Sequence, residues 1–190
     1  MRIGLFFGTF NPVHAGHLVI AGYMTEYTDL KKVWFIVSPQ NPMKQEQTLL
    51  DENERMNLVK LAAGNNPKIK ISDVEFSLPK PSYTFDTLVH LSEKFPEHEF
   101  ILILGTDNLA AFNKWKNYEQ ILEKYYLYVY PRPGFSGGKA AAHRNVKITN
   151  APMMEISSSF IREAIKNKKD VRYMLTESVY HYIAEKHFYE

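Results

Sequence analysis

Two histidines near the N-terminus have the spacing and the setting of a site for anions. His14 and His17 stand three residues apart in GTFNPVHAGH, after a predicted strand and at the start of a predicted helix. This spacing puts both imidazoles on one face of a first helical turn, where free N–H groups favour negative charge. The pair could therefore donate hydrogen bonds to phosphate oxygens. A metal-binding pair and two capping histidines are the alternative interpretations.

A second candidate segment, ISSSFIR, occupies residues 156–162. Ser157 and Ser158 are suited to begin a helix, because serine hydroxyls accept hydrogen bonds from the free N–H groups of the first turn. Hydroxyl and backbone donors at such a helix start can also hold a phosphate. Arg162, one turn further on, adds a charged donor that can make two parallel hydrogen bonds. Simple helix capping is the alternative to a phosphate site.

Composition and absent motifs exclude several classes of protein. The chain has 190 residues, with 23 Lys and Arg against 21 Asp and Glu, so its net charge of +2 argues against a dedicated nucleic-acid coat. It has no cysteine, which excludes disulfides, thiolate catalysis and cysteine-ligated metals and fits a reducing compartment. Neither a G-x-G-x-x-G dinucleotide fingerprint after the first strand nor a G-x-x-x-x-G-K-[ST] phosphate loop is present.

Length and hydrophobic patterning predict one domain, over residues 1–190, and no membrane partner. The 45% of apolar residues suffices for a sizeable core. No apolar run approaches the roughly 20 residues that cross a bilayer, and the N-terminus lacks the features of a signal peptide. We therefore expect a cytoplasmic protein. The sequence leaves a homo-oligomer open.

The elements that must position these residues alternate between strands and helices. This alternation predicts an α/β fold, a doubly wound, mainly parallel sheet of five or six strands with helices on both faces. Strands are predicted at 2–7, 32–38, 69–76, 99–104, 125–130 and 146–148, and helices at 15–27, from Asp51 to Gly64, 84–95, 109–123, 158–168 and 176–186.

Unusual residues collect after the strands of this predicted sheet. Residues 8–17 follow the first strand, residues 39–44 the second, residues 105–107 the fourth and Arg132 the fifth. Ligands of such sheets bind outside the carboxyl ends of the strands. We therefore expect one binding site along this edge.

Together, the His14-Ala15-Gly16-His17 segment and ISSSFIR resemble the signature pair of the nucleotidylyltransferase superfamily, roughly (H/T)-x-G-H and I-S-S-T-x-I-R. Over nearly its whole length the chain resembles the bacterial nicotinate mononucleotide adenylyltransferases. The further stretches that carry this resemblance are GTFNPVHAGHL, residues 42–44, ERM at 54–56, SYTFDTL at 82–88, GTDN at 105–108, Trp115-Lys116 and residues 132–134. The chain departs from the family pattern at Phe7, Asn11, Met43 and Ser159, where Gly, Asp, His and Thr are common.

The resemblance implies a Rossmann-like fold and a reaction of NAD biosynthesis. ATP and nicotinate mononucleotide would give deamido-NAD and pyrophosphate, the phosphate of the mononucleotide attacking the α-phosphorus of ATP. Since this nucleophile is already anionic, alignment and charge neutralisation suffice and we assign no general base. Mg²⁺ is expected as the partner of ATP, held mainly by substrate phosphates and water.

The resemblance also assigns site residues. The catalytic set is His14, His17, Lys44 and Arg162. The ATP-binding set is Gly8, Thr9, Phe10, His14, His17, Gly105, Asp107, Ile156, Ser157, Ser158 and Arg162. The set for nicotinate mononucleotide is Thr9, Phe10, Asn11, Lys44, Thr84, Thr106, Trp115 and Arg132. No residue is assigned to a metal.

Some roles keep two interpretations. Trp115 could stack on the flat, cationic pyridine ring or belong to the core. Arg132 could contact a phosphate or cap a strand edge, and Arg55 of the ERM segment is predicted to be a surface or ion-pair residue.

The activity also keeps alternatives. Another acceptor, nicotinamide mononucleotide or phosphopantetheine, is compatible with the same motifs. A nucleotide-binding sensor or scaffold without turnover is disfavoured because both histidines and Arg162 are present.

Overall fold

A parallel sheet forms the centre of the computed structural model, which describes residues 1–40 and 49–190. Six strands pair in parallel throughout this part of the chain, in the order β3-β2-β1-β4-β5-β6. The predicted doubly wound parallel sheet is confirmed. The strands are β1 (Arg2–Gly8), β2 (Lys32–Val37), β3 (Ile69–Ser72), β4 (Glu99–Gly105), β5 (Tyr126–Tyr130) and β6 (Val146–Ile148).

Helices cover both faces of this sheet. They are α1 (Ala15–Tyr27), α2 (Glu52–Ala63), α3 (Thr84–Lys94), α4 (Thr106–Ala110), α5 (Tyr118–Lys124), α6 (Ser158–Lys166) and α7 (Glu177–Glu185). Short 3₁₀ turns lie at Val74–Phe76, Phe112–Lys114, Lys139–Ala142 and Arg172–Met174.

Alternate residues of the central strands enter two separate hydrophobic cores. In β1, Phe6 packs with α1, α2, α6 and α7, whereas Ile3 and Leu5 pack on the opposite face with α3 and α5. In β4, Ile101 and Leu102 divide in the same way. Because successive side chains of a strand point to opposite faces, burial on both sides explains the nearly continuous apolar runs of these strands.

Two predicted elements differ from the structure. The strand predicted at 69–76 ends at Ser72, whose hydroxyl accepts a 3.3 Å hydrogen bond from the Val74 N–H and so begins the 3₁₀ turn. The helix predicted at 109–123 is two helices, because the chain leaves the first helix at Ala111 and is extended at Trp115. The second helix begins only after Asn117, which is left-handed (φ 55°). The first difference turns Glu75 towards the site edge, and the second brings Trp115 into a non-helical connection.

The carboxyl ends of β1, β2, β4 and β5 lie side by side along one edge of the sheet. Gly8 pairs with Val37, and Gly105 pairs with Tyr130. The loops that follow these strands are therefore neighbours, as the sequence predicts. No helix within the described ranges combines the length and the apolar character needed to cross a membrane.

Candidate active site

Two cavities adjoin at this edge of the sheet. The first, of about 190 Å³, is lined by polar residues of the segments that follow β1, β4 and β5 and of the start of α6. The second, of about 350 Å³, lies against the start of α3 and the connection that carries Trp115. Thr9 lines both cavities, so two ligands bound side by side would meet at this residue.

Most of the predicted site residues line one cavity or the other. The first contains Thr9, His14, His17, Asp107, Arg132, Ile156, Ser157, Ser158 and Arg162. The second contains Gly8, Thr9, Thr84 and Trp115. Lys44 lies outside the described residues. Arg132, which the resemblance groups with the mononucleotide residues, thus lies with the histidines instead of with Trp115.

The two histidines form a close, tilted pair of rings at the start of α1. His14 is the N-cap of this helix, and its backbone N–H donates a 3.2 Å hydrogen bond to Nδ1 of His17. The ring centroids are 3.8 Å apart. Since Nδ1 of His17 accepts this bond, the neutral ring carries its proton on Nε2. The predicted shared face is therefore present, and His17 Nε2–H is a donor.

Burial keeps both imidazoles neutral. It lowers the pKa of His14 to about 4, with a further contribution from the positive charge of Arg132. The pKa of His17 lies well below its usual value because of burial, then because of His14 and Arg132. Nδ1 of His14 is buried and has no hydrogen-bond partner among the described residues. A bound anionic ligand would raise the pKa of both histidines, because negative charge favours the imidazolium forms.

These low pKa values predict that the folded chain loses stability in acid. The unfolded state has the higher histidine pKa, so it binds more protons at pH values below about 6.5. The part of the free energy of unfolding that comes from the low histidine pKa values is complete above about pH 6.5 and is lost as the pH falls to about 4. His14 alone contributes about 3 kcal/mol of it.

Urea unfolding at pH 7.5, 6.0 and 4.5 measures this loss. A His14→Gln variant should show a smaller difference between pH 7.5 and pH 4.5 than the wild-type chain does. Equal differences in the two proteins would contradict a buried, neutral His14.

The start of α6 is fastened to the histidine segment. The Ser158 hydroxyl donates to the Pro12 carbonyl at 2.8 Å, and Arg162 Nη1 donates to the Asn11 carbonyl at 2.7 Å. Ser157 caps the helix, because its Oγ accepts a 3.2 Å hydrogen bond from the Phe160 N–H. The capping interpretation is confirmed for Ser157, while phosphate binding by this segment stays a prediction. These contacts join two motifs that are far apart in the sequence.

Arg132 and Asp107 form the opposite wall of the first cavity. Arg132 Nη1 donates to the Met154 carbonyl at 2.9 Å, and its Nε lies 3.9 Å from Asp107 Oδ2. Asp107 Oδ1 is buried and has no hydrogen-bond partner in the described chain. A Cβ at Gly105 would lie 2.4 Å from this oxygen and 2.9 Å from Cγ of Arg132. Glycine is therefore required for this close approach.

The second cavity is bounded by an aromatic and cationic segment. Trp115 lines the cavity and also packs at 5.0 Å, centroid to centroid, on Phe112, so its ring has both a core contact and a free side. Lys116 Nζ lies 4.5 Å from the Tyr83 ring centroid and 2.9 Å from Asp86 Oδ2. These contacts connect the Trp115 segment with the first turn of α3.

Four predicted site residues line neither cavity. Gly105 leaves room for the side chains of Asp107 and Arg132, as described above. The Phe10 ring is 2% exposed and packs edge-on against His17, with centroids 5.0 Å apart. Asn11 is fully buried, and its Oδ1 accepts hydrogen bonds from Tyr189 Oη at 2.8 Å and the Leu50 N–H at 3.3 Å. Thr106 Oγ1 accepts from the Arg132 N–H at 2.8 Å. The side chains of Phe10, Asn11 and Thr106 thus contact other protein groups, and through these contacts they stabilise the site.

Arg55 corrects one of the two predicted alternatives, because it is not on the surface. It is 1% exposed, and its guanidinium donates to four carbonyl oxygens. These belong to Leu50, Thr9, Ser38 and Pro39, at 2.9, 2.7, 2.6 and 2.7 Å. The helical period could have indicated this burial, since Arg55 lies on the same face as the buried Leu58 and Val59.

Sequence reasoning also missed Glu75 and Tyr130. Glu75 is 2% exposed and lines the second cavity, whereas Tyr130 lines the first. Burial raises the pKa of the Tyr130 hydroxyl to about 12, with a smaller contribution from Asp107. No local sequence signal marks Glu75, because the strand predicted over residues 69–76 conceals the turn that directs it.

Comparisons with known proteins show which family this chain resembles. A family model described as cytidylyltransferase-like matches residues 5–164. A Cytophaga hutchinsonii protein named "Probable nicotinate-nucleotide adenylyltransferase" is 53% identical over 100% of this chain and 98% of its own length. A Flavobacterium psychrophilum protein of the same name is 52% identical over 100% of both chains.

A solved structure supports the fold. The nicotinic acid mononucleotide adenylyltransferase of Plasmodium falciparum, complexed with NaAD, aligns with a TM-score of 0.85 at 20% identity, covering 99% of this chain and 97% of its own.

Proposed function

The chain belongs to the nicotinate-nucleotide adenylyltransferase family, within the cytidylyltransferase-like proteins, and we propose that it joins ATP and nicotinate mononucleotide to give deamido-NAD and pyrophosphate. The observation that carries this proposal is the pair of adjoining cavities. One contains two histidines and two arginines, the other contains a tryptophan, and Thr9 lies in both. Such a pair suits the joining of two nucleotides end to end.

The first cavity would hold the phosphates of ATP. His14, His17, Arg132 and Arg162 converge there, together with the hydroxyl and backbone donors at the start of α6. Such donors bind phosphate oxygens, and arginine can do so with two parallel hydrogen bonds. Lys44 is proposed as a further phosphate ligand on the strength of the family motif alone.

The chemistry requires alignment and stabilisation of charge. An oxygen of the mononucleotide phosphate forms a bond to the α-phosphorus of ATP. The bond from this phosphorus to the bridging oxygen breaks, and its electron pair leaves with pyrophosphate. Because the attacking oxygen is already anionic, no side chain has to remove a proton. His17 Nε2–H, with the neighbouring cations, would stabilise the charge that grows on the leaving group.

Magnesium enters this proposal as part of the substrate, Mg²⁺-ATP. Within the described residues there is no cluster of three or more side chains that could hold a metal ion. Asp107, with one buried oxygen lacking a described partner, faces the first cavity and could accept from a metal-bound water. Mg²⁺ keeps several waters and binds phosphates readily, so the substrate can supply its remaining ligands.

The second cavity favours a nicotinate acceptor over a nicotinamide one. Lys114 and Lys116 line it, and α3 begins beside it at Thr84 without a side-chain cap. Free N–H groups at a helix start and ammonium groups both favour an anion. The carboxylate of nicotinate is negatively charged, whereas the amide of nicotinamide is neutral.

Measurement of pyrophosphate release tests this function. The purified chain would be incubated with ATP, Mg²⁺ and either nicotinate mononucleotide, nicotinamide mononucleotide or phosphopantetheine. We expect strong preference for nicotinate mononucleotide. Release with another acceptor alone would reassign the substrate, and no release with any of them would favour a nucleotide sensor without turnover.

Trp115 provides a test of the acceptor cavity. Trp115→Ala should raise the KM for nicotinate mononucleotide about 10- to 100-fold, because a stacked cationic ring loses roughly 1–3 kcal/mol. The KM for ATP should change little. Trp115→Phe keeps an aromatic face and should recover much of the affinity. If both variants bind the mononucleotide like the wild-type chain, Trp115 is only a core residue.

We also propose that residues 1–190 form a single domain. The six-stranded sheet draws its strands from residues 2–148, and α7, the last helix, packs on the same core as α1 and α2. Limited proteolysis that leaves one fragment spanning α1 to α7 would agree with this.

A further inference from the structure

Glu75 is a buried carboxylate on the wall of the second cavity, and the proposed chemistry does not use it. It is 2% exposed. The Thr87 hydroxyl donates a 2.7 Å hydrogen bond to its Oε1, and the Ser82 hydroxyl donates a 3.0 Å bond to its Oε2. Each carboxylate oxygen thus has its own donor, so the group is held in one orientation.

The charge of Glu75 is costly to bury, and neighbouring hydroxyls compensate for this cost. Burial raises the pKa of this carboxyl, while hydrogen bonds from Thr87, Ser38 and Ser82 act in the opposite direction. A carboxylate accepts hydrogen bonds and donates none. The hydroxyl protons must therefore point towards Glu75, which a neutral side chain would not enforce.

The donors of these hydrogen bonds bracket the start of α3. Ser82 precedes the helix by two residues, and Thr87 lies in its first turn. Between them stand Tyr83 and Thr84, both of which line the second cavity. Ser38, the third hydroxyl, follows β2 and lines the same cavity. Glu75 therefore connects two walls of the second cavity, one at Ser38 and the other at the start of α3.

The first turn of α3 is also connected with Trp115. Lys116, the next residue after Trp115, contacts the Tyr83 ring and forms an ion pair with Asp86. A shift of this turn would therefore move both the helix start and the Trp115 segment. Such a shift would alter the second cavity, while the histidine pair depends on other contacts.

We propose that Glu75 is a positioning residue for the acceptor nucleotide. By holding Ser82 and Thr87, it fixes the first turn of α3 and the Trp115 segment at the separation that the pyridine ring and its carboxylate require. The inference rests on the proposed function, because the acceptor is the ligand of this cavity. Glu75 itself contacts no reacting atom.

The test separates acceptor binding from ATP binding. Glu75→Gln keeps the shape of the side chain but removes the charge and one acceptor oxygen. We expect the KM for nicotinate mononucleotide to rise about tenfold, as for the loss of one hydrogen bond to a charged group. The KM for ATP should stay within about twofold, since the first cavity is unchanged. Calorimetric titration with nicotinate mononucleotide should show the same loss of affinity without turnover.

Thr149→Val is a matched control for loss of a buried hydroxyl. Thr149 is 6% exposed and donates a 3.0 Å hydrogen bond to the Val129 carbonyl, away from both cavities. This variant should lose stability without a change in either KM. Ser82→Ala leaves the carboxylate intact and should raise the KM for nicotinate mononucleotide in the same way. It replaces Glu75→Gln in the test if that variant does not fold.

The outcomes distinguish the two proposals. If the wild-type chain does not use nicotinate mononucleotide, the proposed function is overturned. If the wild-type chain is active but Glu75→Gln and Ser82→Ala bind this nucleotide normally, only the role of Glu75 is overturned. A parallel rise of both KM values would mean that Glu75 has a general structural role.

Discussion

His17→Ala is expected to lower the turnover number about 100- to 1,000-fold, the usual cost of losing one preorganised donor to a developing charge. The Nε2–H of His17 is fixed before substrate arrives, because its Nδ1 is already engaged by the His14 N–H. Phe6 and Phe10 hold the ring at centroid distances of 5.8 and 5.0 Å. Alanine would remove the donor and also leave a cavity between these rings.

The loss of packing requires a control, because a cavity of this kind destabilises by about 2–3 kcal/mol on its own. His98→Ala is a suitable one. His98 stacks on Phe95 at 5.9 Å and packs edge-on against Trp34 at 6.3 Å, immediately before β4 and so at the opposite edge of the sheet. Both variants should lower the melting temperature, but only His17→Ala should lower turnover strongly.

Steady-state kinetics and thermal melting of the two variants decide the role of His17. Turnover would be measured at saturating ATP and nicotinate mononucleotide, at a temperature where both variants are folded. A His17→Ala chain that is less stable yet turns over like His98→Ala would show that the imidazole is a packing residue.

The fold could be predicted because its signals are local. Strands β1, β2 and β4 are buried on both faces, so their sequences are nearly continuous apolar runs. The helix predicted at 15–27 has the observed bounds of α1. The helix predicted at 109–123 is wrong because the chain leaves the helix at Ala111 and is extended at Trp115, and a propensity summed over many residues does not detect such a local break.

The position of the site could also be predicted, but the direction of its side chains could not. His14, His17 and Ser158 lie where the order of strands and motifs places them. Phe10 and Asn11 belong to the same motif, yet both are buried, because the chain turns through a positive φ at Phe10. A motif shows that a residue type is required there, and only the tertiary structure shows whether it faces ligand or core.

Buried charged residues were the least predictable part of the site. Glu75 and Arg55 are both buried, and their partners are hydroxyls and carbonyl groups that every sequence contains. No residue type or spacing marks such contacts in advance. Arg55 is the clearest case, since four of its hydrogen bonds go to backbone oxygens.

Arg55→Met should destabilise the chain by about 3–5 kcal/mol, the usual cost of breaking a buried charged network. The methionine would fill much of the space but would leave the Thr9, Ser38 and Pro39 carbonyls without these donors. Buried carbonyls without partners are costly. Since these three groups lie in the loops after β1 and β2, the walls of both cavities should become mobile together.

Lys60→Met is the matched control, because Lys60 lies on the same helix and is exposed. Urea unfolding at pH 7.5 should show a change below about 0.5 kcal/mol for this variant, as is usual for surface substitutions. The stability of Arg55→Lys should lie between those of Arg55→Met and Lys60→Met. An ammonium can reach one or two of the carbonyls but cannot reproduce the planar fork of the guanidinium.

Kinetics of the folded fraction then show what Arg55 does for the site. At low temperature Arg55→Met should raise the KM for both nucleotides. Glu75→Gln, by contrast, is expected to raise only the KM for nicotinate mononucleotide. The reason is that Thr9, whose carbonyl Arg55 binds, borders both cavities. Equal stabilities of Arg55→Met and Lys60→Met would refute this account, because four partly or fully buried carbonyl oxygens cannot lose their donor without cost.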